Sequence, residues 1–270
     1  IIGMSAMFAG APDLQSYWHN ILGKVDAITE ASDRWARPYF DPDSSSNDRI
    51  YTRKGGFLGD TVEFDPFEYG VMPTTLDSAD ADHFLALRLA YDALHDAGYE
   101  DRPFNRKTTG VILGRGTYVN RGYNTLLQHG QMVDKVMELL AVLNTDLDTG
   151  MLSRIRRQLK NSLPPFSAET VPGLVPNVIT GRIANRLDLM GPNYIVDAAC
   201  ASSLIATEQA LKELRCGRCD MVLTGGIQSS IPPQLYMMFS QLNGLSHSDL
   251  RPFGSGADGT LLGEGLGILV

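Results

Sequence analysis

The run NYIVDAACASSLIATEQALKELRCGRCDMVLTGGI, residues 193–227, constrains the fold more than any other part of the chain. An apolar stretch, NYIVDAA, passes at once into a segment that places Leu204, Ala210, Leu211 and Leu214 on one face, with Glu208, Lys212 and Arg215 elsewhere. A second apolar stretch, CDMVLTGGI, follows directly. The spacing predicts strand, helix and strand in close succession, which implies parallel pairing in one sheet and a layered α/β architecture.

The rest of the chain repeats this grammar. A strand over Ile1 to Ala6 is followed by a helix that Asp13 can cap, with Leu14, Trp18 and Leu22 at spacings of four. From Ala31 to Tyr69 there is little periodicity, and the text reads as one long ordered loop, a kind of region that is usually functional or an assembly surface. ADHFLALRLAYDALHDAGY carries Phe84, Leu87, Tyr91 and Leu94 on one helical face, with Gly98 as the stop. TTGVILG is a buried strand, Tyr118 to Val171 a mostly helical segment that closes at LPPF, and NVITGRIANRLDL a further helix.

Composition narrows the function classes. With 43% hydrophobic residues over 270 positions the chain can bury a sizeable core. A formal net charge of −8 argues against nucleic acid held through its phosphates. Arg154, Arg156, Arg157 and Lys160 form a local basic group, read most simply as a solvated helix face. No apolar run is long enough to cross a bilayer and no signal peptide is visible, so no membrane association is expected and a cytoplasmic setting is. Three cysteines are too few for a disulfide framework. Both ends fall inside strand-like runs, IIGMSAMF and GEGLGILV, so the chain reads as a fragment truncated at both ends.

Cys200 stands where the first strand of the opening run gives way to the helix. There the positive end of the helix dipole favours thiolate, the nucleophilic form, and Ala198, Ala199 and Ala201 leave room for a flat electrophile such as a thioester carbonyl. Its backbone N–H is placed to stabilise an oxyanion. Ser202 and Ser203 suit the first helical turn, where N–H groups lack partners. Set against this, most free cysteines are small buried hydrophobes.

VDAACASSL, followed by CDMVLTGG and RPFGSGADGTLLGEG, resembles the β-ketoacyl synthase (ketosynthase) domain of polyketide and fatty acid synthases, within the thiolase-like superfamily. IIGMSAMFAGAPDLQSYWHNIL, YTRKGGFLGDTVEFDPFEYGVMP, YDALHDAGY and GRIANRLDLMGPN extend the likeness over essentially the whole chain. The resemblance implies a thiolase-like layered α/β fold, of which residues 1–270 are the N-terminal half only, and it implies Cys200 as the catalytic nucleophile. Cys200 would take an acyl chain from the phosphopantetheine of an acyl carrier protein. A malonyl-type extender would then lose carbon dioxide and attack that thioester, giving a β-keto chain longer by two carbons. No tightly bound cofactor is implied; phosphopantetheine is a substrate carrier. The implied partners are the acyl carrier protein, a second copy paired through PNYIVDA, and other domains of a multifunctional synthase.

Two histidines and a lysine support decarboxylation in that family, downstream of the GEG strand. His19, His83, His95, His129 and His247 match none of those motifs and read as surface or helix histidines. Asp258 and Glu264 match the family as structural supports, whereas Gly254 and Gly256 replace acidic residues, which should cost the loop its acidic bracing. DADH at Asp80, the long segment after Tyr118, NVITGRIANRLDL and AACASSL look closest to ketosynthases of polyunsaturated fatty acid synthases. The alternative is a non-elongating domain or chain-length-factor partner that handles acyl chains without condensation; a thiolase fits the fold but not the wording DAACASSL. CGRC at Cys216 and Cys219 lacks a second ligand pair and reads as packing rather than a zinc site. GRGTY at Gly114 lacks the full dinucleotide fingerprint, and no G-x-S-x-G elbow is present. The glycines of GEGLG read as close backbone packing in a strand.

Overall fold

The structure, a computed structural model, describes residues 1–270 apart from 33–36, 45, 60, 61, 118, 145, 146 and 169. The chain enters through β1 (Met4–Phe8), slightly later than the sequence suggests, and continues into α1 (Leu14–Gly23). Asp13 caps α1 as expected, accepting from the Ser16 N–H at 2.7 Å. Trp18 and Leu22 nevertheless lie exposed, so the four-residue stripe does not face the core.

The region read as a loop over 31–69 holds β3 (Lys54–Gly56), which pairs antiparallel with β2 (Thr29–Glu30) and parallel with β7 (Leu262–Gly263). A three-residue strand with two glycines has too few side chains to display a period, and only its distant partners make it a strand.

Next come α2 (Asp82–Asp96) and β4 (Thr109–Gly114). On α2, Phe84, Leu87 and Leu94 are buried as their spacing requires, whereas Tyr91 of the same stripe is exposed, and Gly98, at φ 75°, turns the chain out of the helix. The long helical segment resolves into α3 (Arg121–Leu127), a single π-helical turn at Gln128–Met132, α4 (Val133–Leu143) and α5 (Thr149–Ser162). Tyr118, its expected start, lies outside the described residues. The second half carries α6 (Val178–Arg186), β5 (Asn193–Val196), α7 (Ser202–Arg215), β6 (Met221–Gln228), α8 (Pro233–Gln241) and β8 (Gly265–Leu269). Helix α6 stops before the LDL of its motif, because Asp188 turns to φ 53° and sends Leu187 and Leu189 into the core.

The main sheet runs β1-β8-β6-β4-β5. β5, β4 and β6 are parallel, so the two strands of the opening run share one sheet and one direction as predicted, but β4 lies between them and they do not pair directly. β8 joins antiparallel to both β6 and β1, so the sheet is mixed. β6 and β8 are joined through α8 and then β7, a strand of the small sheet, and this detour brings the chain back in the opposite direction, which the strand–helix alternation does not foresee.

Helices α2 and α6 cover one face of the sheet and α7 the other. The alternation of β4 shows the division: Val111 and Leu113 join the large core with Leu87, Ile179 and Ile183, while Ile112 joins the smaller one with Ala206, Ala210 and Val222. This corrects the predicted orientation of α7. Its leucines do not face the sheet: Leu204 is 74% exposed and Leu211 and Leu214 are exposed too, whereas Ala206 and Ala210 are buried. α7 approaches glycine-bearing strands so closely that only small side chains fit between.

Candidate active site

Two glycines bring the Cys200 junction against the sheet, and a third lets β6 pass close to β8. A Cβ at Gly114, the last residue of β4, would lie 2.3 Å from the Ser202 carbonyl carbon, and one at Gly226 would lie 2.6 Å from the Ser203 Cβ. Gly225 has φ 149° and passes the β8 backbone so closely that a Cβ would stand 2.0 Å from the Gly267 oxygen. The role of Gly114 is therefore to seat the helix start, in place of the nucleotide loop that GRGTY superficially suggests.

Between β5 and α7 the chain makes one 3₁₀ turn, Ala199–Ala201, with Cys200 at its centre and exposed. Ala199 is held at φ 51°, a conformation uncommon for a residue with a Cβ. Two side chains hold the turn. The Ser202 hydroxyl accepts from the Ala198 N–H at 2.9 Å and donates to the Ala199 carbonyl at 2.6 Å. Asp197 accepts from the Ala199 N–H at 3.0 Å and from both the amide, at 3.0 Å, and the hydroxyl of Thr117. The Thr117 hydroxyl, ahead of those amides, holds the Asp197 carboxyl below the usual range. Ser202 thus braces the turn before the helix instead of capping the helix itself.

Cys200 borders a cavity of about 660 Å³ whose wall includes Ser203, Thr207, Gly226, Ile231 and Phe239. A smaller cavity of about 370 Å³, between Tyr69, Tyr91, Asp92 and Phe104, shares no wall with it. Arg115 belongs to the larger cavity and is 3% exposed. Its guanidinium pairs with Asp80 at 3.0 Å and with Asp82, while the other oxygens of these acids accept from the Arg121 N–H at 3.0 Å and the Ser229 N–H at 2.6 Å. Burial outweighs the arginine and raises the Asp80 pKa. Nothing in the sequence singles out Arg115; the two acids of DADH are visible, but no local pattern says that they meet an arginine at the end of β4.

Glu264 accepts from the Leu58 and Ile231 N–H groups, each at 2.9 Å, and so ties the β7–β8 junction to two loops; burial raises its pKa. Asp258 accepts from the Ser246 hydroxyl at 2.6 Å and the His247 N–H at 3.2 Å. Both are structural supports, as their sequence match suggests. Gly256 leaves space for Arg251, whose guanidinium nitrogen would be 3.0 Å from a Cβ there.

Of the histidines, His19, His95 and His247 lie at the surface, and His129 meets the Pro164 carbonyl at 2.7 Å. His83 is a helix histidine, as expected, on α2, and it is buried there at 1% exposure. Burial, then the nearby Arg182, lowers its pKa to about 4. The CGRC pair closes α7, with Cys216 exposed and Cys219 buried. Among the described residues no group of three or more His, Cys, Asp or Glu could hold a metal ion, and no helix is long and apolar enough to cross a membrane.

Comparison with known proteins gives this geometry its context. The family model described as beta-ketoacyl synthase, N-terminal domain, matches residues 1–270. The chain is 32% identical to a polyunsaturated fatty acid synthase of Thraustochytrium sp. over 274 residues, covering all of this chain and 10% of that protein. It is also 32% identical to the polyketide synthase PksN of Bacillus subtilis over 272 residues, covering all of this chain and 4% of that protein. Among solved structures, the oxazolomycin ketosynthase domain OzmH KS7 of Streptomyces albus superposes with a TM-score of 0.73 at 25% identity, over 99% of this chain and 42% of that one. The ketosynthase from module 6 of the Bacillus subtilis bacillaene synthase gives 0.70 at 27% identity, over 99% and 38%. The chain thus spans a tenth or less of the two curated relatives. Its sheet flanked by helices has the thiolase-like α/β fold of those ketosynthases, in their N-terminal half. By sequence and by fold, the chain belongs to the β-ketoacyl synthase family.

Proposed function

We propose that the protein works as a β-ketoacyl synthase in polyketide or fatty acid biosynthesis, with Cys200 as its nucleophile. The observation that carries this reading is the exposed Cys200 on a braced turn at the wall of a 660 Å³ cavity. In the proposed cycle the Cys200 sulfur attacks the thioester carbonyl of an acyl chain on the phosphopantetheine of an acyl carrier protein. The C–S bond to the carrier breaks, its thiol leaves with a proton, and the acyl group rests on Cys200. A malonyl-type extender then loses carbon dioxide, and the electron pair so released attacks the Cys200 thioester. The new carbon–carbon bond forms as the Cys200–acyl bond breaks, returning the thiolate. The Cys200 N–H would steady the oxyanion in both steps. On this reading the protein is an acyltransferase of the condensing type, and decarboxylation would be assisted by the two histidines and the lysine that the family resemblance implies.

Two observations support the proposed assembly. β5 is the open edge of the sheet, where a second copy can add its own β5. The exposed leucines of α7 present an apolar face to whatever completes the layered fold. A cytoplasmic multifunctional synthase is the setting we propose, with no cofactor of its own. No feature of the cavity favours the non-elongating alternative.

Acyl loading of the full-length protein from an acyl-thioester, read by intact mass, tests the covalent step. Wild-type protein should gain the acyl mass and Cys200→Ala should not; condensation should fall at least about a thousandfold in the variant. A wild-type protein that gains no acyl mass would overturn the assignment of Cys200.

A further inference from the structure

Helix α7 ends with a second pair of thiols, which the proposed condensation does not use. Its last turn opens at Cys216, Gly217 takes φ 73°, and the chain re-enters the sheet after Cys219. The two cysteines converge on one atom. The Cys216 thiol donates to the Glu213 carbonyl oxygen at 3.4 Å, and the Cys219 N–H donates to the same oxygen at 3.3 Å. Their environments differ. Cys216 is exposed, and the Arg218 backbone N–H, followed by its guanidinium, holds the thiol below its usual pKa, although Glu213 opposes this. Arg218 is itself anchored by pairing with the Glu213 carboxylate. Cys219 lies buried among Ile112, Ala206, Ala210 and Val222, and burial, then the Glu213 charge, raises its pKa. An exposed thiol of lowered pKa and a buried one of raised pKa in the same four-residue turn match the division of labour between an attacking and a resolving cysteine.

We infer that Cys216 is a site of reversible thiol oxidation by small-molecule disulfides, with Cys219 as its resolving partner. The Cys216 thiolate attacks one sulfur of the small disulfide; that S–S bond breaks, and the departing thiolate takes a proton from water. Cys219 then attacks the Cys216 sulfur of the mixed disulfide, giving its own proton to solvent and releasing the second small thiolate. Two protein thiols are oxidised and one small disulfide is reduced to two thiols. Glu213 and Lys212 on α7, Arg218 and Asp220 in the turn, and Tyr194 on β5 are the charged and titratable groups around the pair. The reading is independent of the role given to Cys200, which stands at the other end of the helix.

The test incubates the full-length protein with glutathione disulfide, blocks free thiols by alkylation and maps tryptic peptides. Trypsin cuts after Arg215 and after Arg218, so a Cys216–Cys219 bond joins two peptides that otherwise separate. The joined peptide should appear with glutathione disulfide and vanish with dithiothreitol. Cys219→Ser should instead accumulate glutathione on Cys216, and Arg218→Gln should slow that modification about threefold to tenfold. If Cys219→Ser does not fold, the time course of the wild type serves in its place, with the Cys216 mixed disulfide appearing before the joined peptide. Glutathione that persists on Cys216 while Cys219 stays reduced would overturn the resolving role. A Cys216 that reacts no faster than in the denatured chain would overturn the site.

Discussion

Helix α7 and the α4–α5 pair are both amphipathic by sequence, yet the tertiary structure treats them in opposite ways. α7 lies flat on β4 and β6 with alanines inward and leucines outward. α4 and α5 pack mainly on each other, and the exposed Arg156–Asp134 ion pair links them. Val142, at 77% exposure, and Leu143, at 80%, end α4 without cover from the described residues. The difference teaches that apolar content does not say which helix is fixed to a sheet. Close approach does, and close approach is set by glycine and alanine, which hydropathy ranks low.

The strongest way to break this contrast is at the glycines. Gly225→Ala places a Cβ 2.0 Å from the Gly267 oxygen and forces an L-residue to φ 149°, so the full-length protein should lose its cooperative unfolding transition. A variant that melts normally would show that β6 and β8 have more freedom than their packing suggests. Arg115→Met is next. It leaves the buried Asp82 without its cation, and urea titration should register a loss of about 3–5 kcal/mol. Arg115→Lys should restore part of it, which separates lost charge from lost shape.

His83 adds a pH dependence to the core side of the comparison. Its folded pKa, about 4, lies below the ordinary 6.5, so the unfolded chain binds the proton first as pH falls. Stability on this account is complete above about pH 6.5 and is lost as pH drops toward 4, by up to about 3 kcal/mol. Urea midpoints for wild type and His83→Gln across that window should converge at acid pH; parallel curves would remove His83 as the cause. The smallest effect belongs to the hairpin. Val142→Ser and Leu143→Ser should each move stability by no more than about 0.5 kcal/mol, and Arg156→Ala by less than about 1 kcal/mol. Losses several times larger would mean that the stripe on α4 is covered in the assembled protein.

The parts of the site that were legible in the sequence are those written in neighbouring residues. The apolar run before Cys200 and the helix after it set the junction, and Asp13, Gly98 and the periodicity of α2 set their helices, because caps and amphipathic spacing act within a few residues. Cys200 and the family wording around it fall in the same class. Other features join residues far apart in the chain: the inward face of α7, the antiparallel entry of β8 beside β6, the three-residue β3, the burial of His83 and the Arg115 pair with Asp80 and Asp82. Local spacing leaves each of these with more than one solution. Only the packed structure selects among them, because the cost of a buried charge or of a Cβ too close to a carbonyl arises only when distant strands and helices meet.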